Sequence, residues 1–311
     1  MNKLFLSSLG LFIAASLFSQ NRSTQVLWSG STDLVSWYTS EKAPNDTLFP
    51  PIRPNCSDSF FIYVFPGGSN GTGYVSGTNS WGDLEKGQAF TATMDAKVSD
   101  VIVALPVVAG NGNYTAKVYA VSNDTVIGSV LGQSAPTNIQ TPNLYIIPIT
   151  TPPSVANGSK FMVSFTVKSG PADTVAIFTS KFGCGNRESF EKWDDNNWYV
   201  MKTVYGQDLD FLMGAVLVDN ASLMSGETFT SLAYPMPATD MVTLSAGMRT
   251  GGVYNFLLFN ATGALVQSRN LGYVNAGGFA MNLDLTQLPS GVYSYRLFSG
   301  DAQSFGKIIK K

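Results

Sequence analysis

From residue 25 to residue 219 the chain runs as short apolar or alternating stretches, each closed by turn-forming residues, with little 3.6-residue periodicity. This pattern constrains the fold more than any other feature, because it predicts many short strands and hence an all-β protein. Residues 59–65 are apolar and aromatic, and Gly67-Gly68-Ser69-Asn70-Gly71-Thr72-Gly73 then breaks the run. Residues 88–94 alternate, with Ala89, Thr91 and Thr93 on one face and Phe90, Ala92 and Met94 on the other. Residues 98–108 are a long strand-like run, and residues 114–121 alternate through Tyr114, Ala116, Val118 and Ala120. Asn111-Gly112 between them predicts a hairpin, since both residues tolerate positive φ. Further strands are expected at 144–149, 160–167, 174–179, 198–203 and 210–218. The spacing points to a jelly-roll-like β-sandwich, and no repeat of about 20–50 residues suggests a propeller or solenoid.

Residues 1–19 read as a signal peptide. Lys3 gives the charged start, residues 4–17 are mostly apolar, and Ser19 is a small residue at the cleavage point, leaving Gln20. No cysteine stands there, so no lipoprotein anchor is expected. The apolar run is too short to span a bilayer comfortably, and no other stretch in the mature chain suits a transmembrane helix. The remaining length suggests two domains. Residues 220–227, with Asn220, Ser222, Ser225 and Gly226, read as a linker between a large domain at 20–219 and a small one at 228–311. The small domain offers about six strands, at 242–246, 253–259, 265–270, 279–285, 292–298 and 304–309, as in a small immunoglobulin-like β-sandwich. Asn260-Ala261-Thr262-Gly263 is a tight hairpin connection within it. Few contacts are expected to cross the polar boundary.

The chain has no histidine, which removes Ser-His-Asp and Cys-His catalysis and the commonest metal ligand together. A net charge of −2 offers no basic field for nucleic acid. Low charge with many Thr, Ser, Val, Tyr and Gly fits an extracellular β protein. Cys56 and Cys184 are the only cysteines. An even count in an exported chain suggests one disulfide, with two separate thiols as the alternative.

Candidate sites in the large domain are few. Glu188, Glu191, Asp194 and Asp195 read as an acidic loop, and Asp208 and Asp210 lie at the start of a strand. Paired carboxylates can serve glycoside hydrolysis, and such oxygens can hold calcium, the only cofactor in view. Asp194-Asp195-Asn196-Asn197 reads more simply as a solvated hairpin turn. Trp28, Trp37, Trp81, Trp193 and Trp198 can stack on sugars, but core packing is the simpler account of each. The glycine cluster at 67–73 lacks the Lys-Ser/Thr of a phosphate loop. The sequon Asn113-Tyr114-Thr115 is common by chance in so Asn/Thr-rich a chain. No catalytic, cofactor-binding or metal-binding residue is assigned, and the large domain is expected not to be an enzyme.

The small domain carries three motifs. Tyr234-Pro235-Met236-Pro237-Ala238 opens it as an extended segment, because the prolines fix φ and block regular pairing. Leu288-Pro289-Ser290-Gly291-Val292-Tyr293 turns the chain into a strand on which Tyr293 and Tyr295 share one face. Lys307, Lys310 and Lys311 give the last strand a basic end. In this order the motifs resemble the C-terminal sorting domain of type IX secretion substrates. Tyr234, Pro235 and Pro237 match its first motif, Leu288, Pro289, Gly291 and Tyr293 its second, and Lys307 and Lys310 its third; Met236 departs from the more usual Asn. The resemblance implies export through the periplasm to the outer surface or medium by the type IX export and attachment machinery. Removal of the domain and attachment to surface lipopolysaccharide are common sequels. It also implies a cargo role for the large domain. There, residues 73–83 and 193–198 resemble a β-sandwich module of such substrates with no transferable activity. The expected cargo role is binding, adhesive or structural. A carbohydrate-binding module that takes a glycan and a two-carboxylate glycoside hydrolase are the alternatives.

Overall fold

The computed structural model describes residues 25–30, 46–51, 56, 60–67, 71–123, 126–206, 208–219 and 229–311. The signal peptide at 1–19, the linker at 220–227 and Trp37 lie outside these residues, as does the side chain of Trp28. The fold is all-β.

Two large antiparallel sheets make the body of the large domain, beside a three-stranded sheet of Gln25–Gly30, Phe60–Pro66 and Thr72–Tyr74 and two strand pairs. One of the two large sheets has six strands, in the order Val126–Gln133, Ala116–Ser122, Lys160–Thr166, Glu85–Thr91, Ser189–Lys192 and Trp198–Val200. The other has the path Asn143–Pro148, Ala96–Leu105, Met213–Val218 and Asp46–Leu48, with Ser154–Val155 also paired to Ala96–Leu105. Alternation decides what meets between them. Phe90, Phe161, Val163 and Phe165 point inward from the first sheet, and Val101, Val103, Leu105, Ile147 and Met213 from the second. The unbroken apolar run at 101–105 has a different cause from the alternating strands. Its even-numbered members, Ile102 and Ala104, lie on the sheet's opposite face and are buried there with Phe60, Phe178, Leu144 and Ile146. A strand covered on both sides needs no polar face.

Several expectations change. Residues 107–109 and 112–114 do not form a hairpin around Asn111-Gly112. Val107–Ala109 pairs with Thr174–Ala176, and Gly112–Tyr114 with Thr137–Ile139. The Asn111 amide donates to Asp173 Oδ1 (2.9 Å), which holds the connection against a neighbouring turn instead. The strand expected at 198–203 stops at Val200, and Met201–Tyr205 is a short helix closed by Gly206 at φ +69°, whose amide donates to the Lys202 carbonyl (2.8 Å). Met201 is fully buried, which lets the core draw one turn of helix out of a strand-like sequence.

The small domain has seven strands. Ser231–Tyr234, Met241–Met248 and Gly277–Asp284 make one sheet; Leu265–Val274, Gly252–Phe259, Gly291–Ser299 and Ala302–Lys310 make the other. Phe256, Leu258, Leu283, Leu297 and Ile308 fill the space between. The Asn260–Gly263 turn is present, with Asn260 bonded to Ala264 and Gly263 at φ +80°. The expectation of few contacts across the boundary is not met. Leu232 and Tyr234 pack into the cluster around Ile102, Leu144 and Ile146, and Arg249 pairs with Asp100 (3.2 Å). The outer face of the large domain's second sheet is apolar and requires a cover; Phe60, Ile62 and Phe178 supply part of it, and Leu232 and Tyr234 of the small domain another part.

Candidate functional site

The three C-terminal motifs converge at the last strand of the small domain. Ala238, at the end of the first motif, donates to Ile309 and accepts from Lys311 (2.8 and 2.9 Å). Met236 packs into the same core. Gly291, in the second motif, pairs in register with Lys310, in the third. The Lys310 ammonium donates to the Leu285 carbonyl (2.5 Å) and the Leu288 carbonyl (2.6 Å), and so fastens the Leu-Pro turn from below. Tyr293 donates to the Pro289 carbonyl (2.6 Å) and closes that turn from the strand side. Pro289, Gly291 and Lys307 are exposed, whereas Leu288 and Pro235 are half-buried. Tyr234 faces the other way. It is 2% exposed, and its hydroxyl meets Asn143 Oδ1 and the Leu144 amide of the large domain. Burial pushes its phenol up to about 12.

The most unusual chemistry of the large domain lies inside the sandwich, around Lys86. Strand Glu85–Thr91 alternates, and the positions that send Phe90 inward also send Gln88 and Lys86 inward. Lys86 is fully buried. Its ammonium donates to Asp83 (2.6 Å) and Glu191 (2.8 Å). Burial opposes its charge, but the two carboxylates outweigh burial and raise its pKa. Burial also works to raise Asp83, and there the contact with Lys86 prevails and holds the carboxyl below its usual range. Glu191 goes up, first through burial and then through the neighbouring Asp83 charge, with Lys86 opposing. One cation faces two carboxylates, and Glu191 also accepts from the Trp193 indole (2.5 Å). Asn79 completes the frame by donating to Asp83 (2.7 Å). Alternation alone places Lys86 inward; what sequence lacks is the partner, because Glu191 is 105 positions away.

A second charged cluster lies on the outer face of the six-stranded sheet. Glu85 accepts from Lys117 (2.7 Å), Ser164 (2.7 Å) and the Tyr119 hydroxyl (3.1 Å). Burial, with the adjacent Glu85 charge, raises the Tyr119 pKa well above normal. Trp198 meets Tyr119 edge-on (5.3 Å), and the Lys192 ammonium lies 6.0 Å over the Trp198 ring.

The remaining candidates separate. Glu188 pairs with Lys160 (2.8 Å), Glu191 with Lys86, and Asp194 and Asp195 sit in an exposed turn where Trp193 and Asn197 bond across (3.0 Å). The four acids therefore do not form one acidic loop: Glu191 turns inward on a strand that ends before the turn begins. Asp208 pairs with Lys202 (3.0 Å). Asp210 accepts from Asn186 and Gln88, and burial raises its pKa. Among the described residues no group of three or more His, Cys, Asp or Glu is placed to hold a metal ion. Trp81 packs edge-on against Phe65 (4.3 Å), and Trp193 stacks on Tyr199 (3.9 Å), so the described tryptophans do not form an exposed row. Cys56 and Cys184 are disulfide-bonded, with Cα atoms 5.9 Å apart.

Residues 232–311 match the family described as the secretion system C-terminal sorting domain. The chain therefore carries such a domain, which supports its being a type IX secretion substrate and implies contact with that machinery. The domain indicates secretion to the outer cell surface or extracellular space. No helix among the described residues is long and apolar enough to cross a membrane. No curated protein matches the chain. Among solved structures it is similar to the cysteine protease and lectin-like domains of a surface-layer-associated protein of Clostridium difficile, at 13% identity and a TM-score of 0.39, over 58% of this chain and 37% of that one. It is also similar to the clostridial protease after propeptide cleavage, at 14% identity and a TM-score of 0.36, over 44% and 36%. A third is the β-glucuronidase of Ruminococcus gnavus, at 12% identity and a TM-score of 0.27, over 94% and 45%. The chain thus spans less than half the length of each.

Proposed function

We propose that the large domain is a non-enzymatic binding or structural module, a jelly-roll-like sandwich carried to the cell exterior by the sorting domain. The observation that supports this reading most is Lys86. Asp83 and Glu191 share this one cation, and its ammonium is lodged between them inside the core. A glycosidase needs its two carboxyl groups to flank a cleft open to substrate, with room for a sugar between them. Asp208 and Asp210 are likewise engaged by Lys202 and Asn186. The test is a panel of chromogenic glycosides and peptides offered to the intact secreted protein. No turnover is expected, and turnover that disappears in Asp210→Asn overturns the proposal.

One observation favours glycan binding as the specific form of this role. Trp198 is half-buried on the outer sheet face beside Tyr119, with Lys192 over its ring. An indole with polar neighbours at its edge suits the apolar face of a sugar. A glycan array on the intact protein, repeated with Trp198→Ala, separates the readings. Binding that depends on Trp198 supports the glycan role; binding unaffected by the substitution counts against this face.

A further inference from the structure

The contact between the two domains has a specific chemistry. Asn143–Pro148 is the edge strand of its sheet. Opposite Leu144, the Ala104 amide and carbonyl bond to Leu212 and Phe178. The Leu144 amide and carbonyl therefore point away from the sheet, toward an edge that would stand unpaired. The small domain meets both: the Tyr234 hydroxyl accepts from the Leu144 amide (3.1 Å), which also donates to Asn143 Oδ1 of its own strand (2.8 Å), and Ser245 donates to the Leu144 carbonyl (2.5 Å). Two residues further on, the strand crosses a pair of bare positions. Gly247 and Gly278 lie opposite each other in their own sheet, and a Cβ on either would stand 3.3–3.4 Å from the Ile146 carbonyl and 3.1–3.5 Å from side chains of the same strand. The Asp100–Arg249 pair and the Thr230–Asp100 bond (2.9 Å) flank the contact.

Resting on the sorting-domain reading, we propose that this surface is a latch. The sorting domain caps the exposed edge of the cargo sheet, and while it is docked the tyrosine of its first motif is closed to the export machinery. The occupant of the Gly247/Gly278 saddle is a strand edge, and Asn143–Pro148 fills it. The prolyl, turn and lysine elements remain at the open end, so the docked chain presents an incomplete signal. Separation of the domains releases Tyr234 and completes it.

The test uses the full chain in a host with type IX machinery. Asn143→Ala and Ile146→Asp weaken the latch from the cargo side and leave every sorting motif unchanged. Hydrogen exchange at the Leu144 amide should accelerate by at least roughly tenfold, since a protected amide becomes a free edge. Export should speed up severalfold over the parent. Gly278→Val closes the saddle from the other side and should act in the same direction. If Ile146→Asp fails to fold, Gly278→Val carries the measurement, because Asn143 Oδ1 itself accepts from the Leu144 amide (2.8 Å) and its loss speeds exchange there with or without docking. Unchanged exchange at Leu144 in Ile146→Asp and Gly278→Val overturns docking. Faster exchange with unchanged or slower export overturns the latch. Export that persists after deletion of residues 232–311 overturns the sorting reading and the latch with it, and is distinguished from the other outcomes by needing no sorting domain at all.

Discussion

The two sandwiches share an architecture and differ in what they bury. The large domain buries Lys86, the amide of Gln88 and the carboxylates of Asp83, Glu85, Asp100, Glu191, Asp208 and Asp210. In the sorting domain the buried polar groups are hydroxyls, with Ser231 bonded to Tyr295 (2.9 Å) and Ser304 (2.6 Å). A sheet that buries ions tolerates little change in partner geometry, because each ion depends on the others for its charge balance. A core held by apolar contacts and hydroxyls loses less when one partner goes. The comparison predicts a cargo that is sensitive to single substitutions and a carrier that is tolerant of them. It is directly measurable, because all five tryptophans precede residue 220, so their fluorescence follows the large domain alone.

The largest expected effect is loss of the disulfide. Cys56 and Cys184 close a loop of 128 positions, and removing the bond should cost the large domain about 4–5 kcal/mol in the chain-entropy account. Denaturant titration of Cys56→Ser with Cys184→Ser, followed by tryptophan fluorescence, reads it; a loss below about 1 kcal/mol would show that the bond does little. Next is Lys86→Met, which strands Asp83 and Glu191 without their cation and should cost about 3–5 kcal/mol. If the midpoint of the variant matches that of the parent, the ionic core is not what distinguishes the two sandwiches.

An alkaline titration sharpens the contrast from the other side. Burial raises Tyr295 from 10.0 to about 12. The unfolded chain ionises this phenol first, so its contribution is complete below pH 10 and is lost as pH rises through about 12. Tyr295→Phe should remove up to about 2–3 kcal/mol of that alkaline loss. A slope between pH 10 and 12 identical to the parent's would contradict this. Smallest is Lys310→Met. It frees the Leu285 and Leu288 carbonyls and should cost the sorting domain about 1 kcal/mol, discounted for its partial exposure. Faster hydrogen exchange in the 285–293 turn is the expected reading, and unchanged exchange would mean the ammonium is not a clamp.

Much of this molecule was legible in the sequence where a residue's role is local. The Asn260–Gly263 turn, the alternation around Phe90 and the strand face shared by Tyr293 and Tyr295 follow from spacing and turn chemistry alone. The motifs at Tyr234, Pro289 and Lys310 were legible as a set through their resemblance to the type IX sorting domain. Their division of labour was not, because it depends on Asn143, 91 positions away from Tyr234. The acids misled for the same reason. Glu188 to Asp195 look like one loop, yet strand Ser189–Lys192 turns Glu191 inward while Asp194 and Asp195 stay in solvent. The Ser189–Lys192 strand itself was missed, because its two charges obscure an apolar pattern that only Phe190 carries.

The buried lysine also bears on the order in which the large domain acquires its fold. Lys86 and Glu191 meet only when strands Glu85–Thr91 and Ser189–Lys192 come into register, after more than a hundred intervening residues have been laid out. Until that moment both ions are hydrated, and water must leave them as the sheet closes. Closure of this sheet therefore has a kinetic barrier of its own, over and above the slow search that distant strand pairing imposes. Replacing Asp83, Lys86 and Glu191 together with apolar residues of similar size should speed refolding, as stopped-flow tryptophan fluorescence would record. A refolding rate no faster than the parent's would place ion dehydration after the rate-limiting step.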